Sequence, residues 1–183
     1  MKLPSVPGAA LLCGHGRSAW FTSFRRLGVN VSIRPANPID APRIAQIYVD
    51  SWNAGFGELM PPAILDDARI DRWAGELAAV GWWVAEQDGI IAGFTGICPS
   101  RDPIDPLLGE LDTIAVDPAY WRSGIGTALM HRAVDELAAA YPQAILWTLA
   151  NYPQGQRFYT ATGWTPDGNT RSNGSQISYR RRF

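Results

Sequence analysis

The sequence predicts a single mixed α+β domain, and three observations carry that prediction. Apolar residues switch repeatedly between a spacing of two and a spacing of three to four. Asp88-Gly89, a pair suited to a type I′ turn, joins the strand-like runs Trp82–Gln87 and Ile90–Cys98. A strongly amphipathic stretch, Gly124–Tyr141, leads into the continuous apolar run Ala144–Leu149, a helix feeding a buried strand.

Taken in order, residues 1–30 mix Pro, Gly, Ser and Arg with neither period and read as a poorly ordered leader, so the domain is expected over 31–183. Val31–Arg34 alternates as a strand and is closed by Pro35 and Pro38. Asp40 is placed to cap a helix carrying Ile44, Ile47, Tyr48 and Trp52, with Pro42 tolerated in its first turn. Asn53–Gly57 reads as a break, and a second helix beginning near Pro61-Pro62 shows Ile70, Trp73 and Leu77 on one face. After the hairpin, Pro99–Pro106 reads as a proline-rich loop and Gly109–Val116 as a strand stopped by Asp117-Pro118. In that strand, alternation sets Glu110, Asp112 and Ile114 on one face and Leu111, Thr113 and Ala115 on the other. A short helix over 153–161 ends at Gly163, and Trp164 onward and Gln176–Arg182 supply the last strands. Of Trp82 and Trp83, one is expected in the core and one outside.

The chain has 183 residues, 16 Lys and Arg against 17 Asp and Glu, and a net charge of -1. That balance offers no general attraction for nucleic acid or an anionic membrane, and Arg180–Arg182 reads as a solvated strand end. No apolar stretch approaches the roughly 20 residues a membrane span needs. The run Gly8–Cys13 is cut short by Gly14, His15 and Gly16, a weak signal-peptide core. Cys13 and Cys98 are far apart and in no metal spacing, so a reducing cytoplasm and no metal site are expected.

The chemistry concentrates in Gly109–Leu129, a strand running into a loop whose glycines open a helix. Unpaired N–H groups at a helix N-terminus attract anions, and Gly124 and Gly126 leave room for a phosphate at the backbone. A P-loop would need a Gly-Lys-Ser/Thr start, and no lysine is present here. A dinucleotide fold would want a third glycine where Leu129 stands, and a tighter turn than the seven residues between Val116 and Gly124. The segment instead resembles the pyrophosphate loop of the GNAT superfamily of acyl-CoA N-acyltransferases, Gln/Arg-x-x-Gly-x-Gly/Ala. Trp121 occupies its Gln/Arg position, and Arg122 stands where many members carry glycine. A second segment, Asn151–Trp164, is similar to the superfamily's Asn-x-x-Ala-x-x-Phe-Tyr-x-x-x-Gly-Phe, with Gly155 for the alanine and Trp164 for the final phenylalanine.

The resemblance spans residues 31–183 and implies a GNAT-like fold: one mixed, mostly antiparallel sheet, splayed where acetyl-CoA binds and flanked by helices. It implies that the main chain of Ile114, Ala115 and Val116 pairs with the pantetheine arm, and that Arg122, Ser123, Gly124, Ile125, Gly126 and Thr127 hold the pyrophosphate. Asn151 would reach the pantetheine, or serve only as a turn residue. Tyr159 matches the tyrosine that protonates the departing thiolate, and otherwise packs beside Phe158. Glu110 stands where some members place a general base, with Asp112 or water as alternatives. Trp52, Phe56 and Met60 fall in a segment that forms part of the acceptor pocket in relatives, and core packing explains them equally well. His131 reads as surface. The implied activity is transfer of an acetyl group from acetyl-CoA to a primary amine, on a small molecule or a peptide N-terminus, by direct attack. A non-catalytic acyl-CoA-binding module on the same fold is the alternative. Neither sets the oligomeric state, a homodimer included.

Overall fold

The computed structural model describes residues 24–26, 29–79 and 81–183. Eight strands form one sheet: β1 (Phe24–Arg26), β2 (Val29–Pro35), β3 (Trp82–Gln87), β4 (Ile90–Arg101), β5 (Ile104–Val116), β6 (Gln143–Leu149), β7 (Thr165–Arg171) and β8 (Gln176–Arg182). Their spatial order is β1-β2-β3-β4-β5-β6-β8-β7. Only β5 and β6 run parallel; every other pairing is antiparallel. The helices are α1 (Ala41–Phe56), α2 (Asp67–Leu77), α3 (Ile125–Ala140) and α4 (Pro153–Ala161). Regular pairing thus begins at Phe24, ahead of the boundary drawn at residue 31; the rest of the expected leader lies outside the described residues.

Helices cover both faces. On one, α1 and α2 bury Ile44, Ile47, Trp73 and Leu77 against Trp82, Val84 and Phe94. On the other, Ile125, Leu129, Met130, Ala133 and Leu137 of α3 meet Trp83, Ala85, Ala92, Leu111 and Leu146. Trp82 and Trp83 are therefore both buried, contrary to expectation, because their strand is covered on its two sides. At the hairpin, Asp88 and Gly89 both take positive φ, 53° and 80°, as a type I′ turn requires.

Two breaks read from the sequence are not breaks. α1 continues through Asn53–Gly55 to Phe56, because Tyr48, Trp52 and Phe56 recur at steps of four, the first pair stacked at 5.8 Å and the second edge-to-face at 5.1 Å. Trp52 and Phe56 consequently lie on a helix, and α2 starts later than expected, at Asp67, where the Asp66 carboxylate accepts from the Arg69 N–H. Pro99–Pro106 is mostly strand, since β4 and β5 pair out to Arg101↔Ile104. The shift in register between Pro99 and Ser100 accommodates the proline.

Candidate active site

β5 and β6 pair only over Leu108↔Gln143, Gly109↔Ala144 and Glu110↔Ile145. Beyond Glu110, β5 keeps its partner β4 and β6 keeps β8, so the two parallel strands part and leave an opening between Leu111–Val116 and Leu146–Leu149. The segment after β5 becomes the start of α3, and the segment after β6 becomes the start of α4. Both glycine-loop and Asn151 motifs are thereby brought to the same opening.

Pairing in β5 decides which backbone groups face it. The Asp117 N–H donates to the Ala92 carbonyl at 2.9 Å, making the adjacent Gly93↔Val116 a non-hydrogen-bonded pair. The N–H and C=O of Val116, and by alternation those of Ile114, then point away from β4 into the opening. Those of Ala115 are spent on Phe94, so its main chain is not available there as the sequence reading had it.

A second correction comes from the bulge between Leu111 and Thr113, where Asp112 has no partner on β4. The bulge shifts the alternation, so Ile114 joins Leu111 against α3 instead of sharing a face with Glu110 and Asp112. The two carboxylates do share a face, and Arg101 joins them. Its guanidinium contacts Asp112 and lies 3.5 Å from Glu110 Oε1, while its backbone N–H donates to Glu110 Oε2 at 3.0 Å. Glu110 is only 5% exposed and sits at the apex of the fork. Cys98, paired across from it, has its thiol pushed up to about 12 by burial and by Asp112, which excludes a ready thiolate nucleophile.

The turn from β5 into α3 is fixed from several sides. The Asp117 carboxylate accepts from Arg43 of α1 at 2.5 Å and from the Ala119 N–H at 2.9 Å. The Trp121 indole donates to the Val116 carbonyl at 2.7 Å, and the Ser123 hydroxyl to the Tyr120 carbonyl at 2.6 Å. Arg122 and Gly124 take positive φ, 65° and 94°. Ala128 makes the first helical bond, to the Gly124 carbonyl, leaving the N–H groups of Ile125, Gly126 and Thr127 without an intrahelical acceptor. A Cβ at Gly124 would meet no atom within 4 Å, so this side of the turn is open. A Cβ at Gly126 would rest in ordinary contact, 3.7 Å from Phe158 and Val116. Arg122, Ser123 and Thr127 are exposed, and Arg122 pairs with no acid among the described residues. The Ile125 side chain is buried and anchors the turn in the core.

On the β6 side, Asn151 is exposed and does not cap α4, whose N-cap is Tyr152. Tyr159 is half-buried, with its ring 5.7 Å from Phe158 and 5.9 Å from Tyr179, and its hydroxyl bonds to no described residue. Burial, with Tyr152 and Tyr179 adding to it, pushes the Tyr159 phenol well above its ordinary value, so it keeps its proton at neutral pH. His131 is exposed on α3, as expected.

Sequence reasoning missed three contributors. Arg101 was hidden in the supposed loop, Tyr152 was passed over inside the second motif, and Trp121 was seen only as a departure. A tryptophan in place of the usual Gln/Arg was the one available signal for a changed loop anchor.

A mixed sheet opened between two parallel strands, with a free helix N-terminus beside it, defines a site for a phosphate-bearing coenzyme with an extended arm. The acetyltransferase (GNAT) family matches residues 41–164, and the chain belongs to that family. It is an acyl-CoA-dependent N-acetyltransferase by class. A protein of Mycobacterium tuberculosis named a probable N-acetyltransferase is 30% identical over 77% of this chain and 83% of its own length. Two solved structures share the fold. PaiA N-acetyltransferase of Thermoplasma acidophilum, in complex with coenzyme A, matches with TM-score 0.66, 16% identity, and 84% and 99% of the two chains covered. YncA of Salmonella typhimurium, with its cofactor acetyl-CoA, matches with TM-score 0.67, 19% identity, and 84% and 94% covered.

Proposed function

We propose that this chain transfers an acetyl group from acetyl-CoA to a primary amine by direct attack, without a covalent enzyme intermediate. The observation that carries the reading is the pairing of two features at one opening: the main-chain groups of Ile114 with the N–H of Val116, and the open first turn of α3. The first suits an amide-bearing arm added as an extra strand, and the second suits a pyrophosphate. In this arrangement Ser123, Gly124, Ile125, Gly126 and Thr127 offer the anion their backbone, with Arg122 adding charge and Asn151 reaching the arm.

The amine nitrogen attacks the thioester carbonyl carbon, forming the C–N bond. Negative charge gathers on the carbonyl oxygen and is stabilised by the Val116 N–H. The C–S bond then breaks, and the sulfur takes a proton from Tyr159. The proton lost by nitrogen goes to Glu110, directly or through water, with Asp112 as the alternative acceptor. The working compartment proposed is the cytoplasm.

The test is release of free coenzyme thiol from acetyl-CoA across a panel of primary amines, alongside the rise in Tm that coenzyme binding produces. Amine-dependent thiol release is expected. Gly124→Glu should abolish the Tm shift, since it sets bulk and negative charge in the open turn. A full Tm shift with no thiol release for any amine would favour a non-catalytic acyl-CoA-binding module.

A further inference from the structure

An aromatic stripe crosses the α1 side of the opening and ends on a residue that is over-determined. Along α1, Tyr48 stacks on Trp52, Trp52 meets Phe56 edge-to-face, and Phe56 meets Tyr152 edge-on with ring centroids 4.6 Å apart. Tyr152 opens α4, so this contact joins the end of α1 to the start of α4 across the mouth of the fork. Two glycines give it room. A Cβ at Gly55 would lie 3.3 Å from the Tyr152 hydroxyl, and one at Gly155 would lie 2.5 Å from its ring. Glycine inside a helix costs roughly 1 kcal/mol against alanine, and both sit in helices. The change from alanine to Gly155 in the second motif thus has a local cause: the ring of Tyr152 is folded over that position.

The stripe starts where the acids are. Glu110 and Asp112 face α1, and Asp112 adds to the burial that raises the Tyr48 phenol. With Arg101 bridging them, two negative charges and one positive leave the fork net negative. Two cations, Arg69 and Arg72, act on Tyr48 at the outer end, and Arg69 lies over its ring at 5.4 Å with its Nε bonded to the Ile64 carbonyl at 2.6 Å. The wall behind Trp52 is also fixed, by its indole bond to the Pro61 carbonyl at 3.1 Å and by Asn53 bonding both backbone groups of Ala63 at 2.7 and 3.0 Å.

We infer that Tyr152 is the specificity-determining residue of the acceptor site, which takes slender primary amines with an apolar body. The inference rests on the acyl-transfer reading. Flat rings on one wall favour an alkyl or aryl body. Tyr152 limits its width, because the glycines at 55 and 155 leave the ring one place to stand. Glu110 and Asp112 favour the amine at the inner end.

The experiment measures steady-state transfer with n-hexylamine, 2-phenylethylamine and 2,2-diphenylethylamine, in the wild-type chain, Tyr152→Ala and Gly155→Ala. The wild type is expected to use hexylamine and 2-phenylethylamine with kcat/KM at least about tenfold above 2,2-diphenylethylamine. Tyr152→Ala should narrow the gap between the phenyl and diphenyl amines by about tenfold, through acceptor KM, with acetyl-CoA KM unchanged. Gly155→Ala displaces the ring while keeping it, and should shift the same ratio in the same direction. Equal ratios in all three proteins, or a wild-type preference for 2,2-diphenylethylamine, would overturn the inference while leaving acyl transfer intact. No transfer by the wild type to any amine would overturn both.

Discussion

Replacing Tyr159 by phenylalanine removes one hydroxyl and nothing that the fold uses. The ring contacts with Phe158 and Tyr179, at 5.7 and 5.9 Å, remain available to phenylalanine. No described residue hydrogen-bonds the hydroxyl, so no protein group is orphaned by its loss. The cost to folding should stay below about 1 kcal/mol, a Tm change of a few degrees. The cost to chemistry is larger if the hydroxyl protonates the thiolate, because that interaction strengthens as charge builds on sulfur. A reduction of roughly 10- to 1,000-fold is expected in kcat and kcat/KM together, equivalent to about 1.4 to 4 kcal/mol, with coenzyme affinity nearly unchanged. The smaller loss applies if water substitutes as the acid. Since burial raises the Tyr159 phenol, the protonated form persists through the neutral range, and the wild-type rate should show no alkaline fall from this group below about pH 10. The sign of the linkage agrees: the neutral phenol's contribution to stability is present below its unfolded value near 10 and fades as pH climbs toward the raised one. Steady-state thiol release with the best acceptor, paired with a coenzyme titration, gives both quantities. Wild-type turnover in Tyr159→Phe would refute the role and return this tyrosine to packing.

Glu110→Gln should leave coenzyme affinity intact and lower turnover by about 10² to 10⁴ at neutral pH, with partial recovery at high pH where the amine deprotonates unaided. Undiminished activity there would move the role to Asp112 or water. Trp121→Phe deletes the 2.7 Å bond that ties the loop to the Val116 carbonyl, and a titration should find coenzyme binding weakened roughly 3- to 10-fold with kcat held. Unaltered affinity would mean that the loop is fixed without it. Deleting residues 1–23, which precede β1, is expected to leave the melting temperature and its coenzyme-induced rise in place; a drop of many degrees would mean that they pack on the domain.

What the sequence made legible was local. A type I′ turn is written in two residues, and Asp88-Gly89 adopts it; α3 is written in its own apolar spacing, and it runs over nearly the residues expected. What stayed hidden depends on partners far along the chain. Asn53–Gly57 has the composition of a break, yet the helix persists because Tyr152, about a hundred residues later, supplies a ring for Phe56 and needs the space at Gly55. Alternation along β5 placed Ile114 beside Glu110, and only the register against β4 reveals the bulge at Asp112 that turns it to α3. Two of the departures from the superfamily pattern follow the same rule. Trp121 gains a hydrogen bond to the strand that its loop must follow, and Gly155 makes way for a ring that spans the site. Each looks like a defect when the motif is read as a string. In three dimensions each has a local role, so such departures are where this chain's own specificity should be sought.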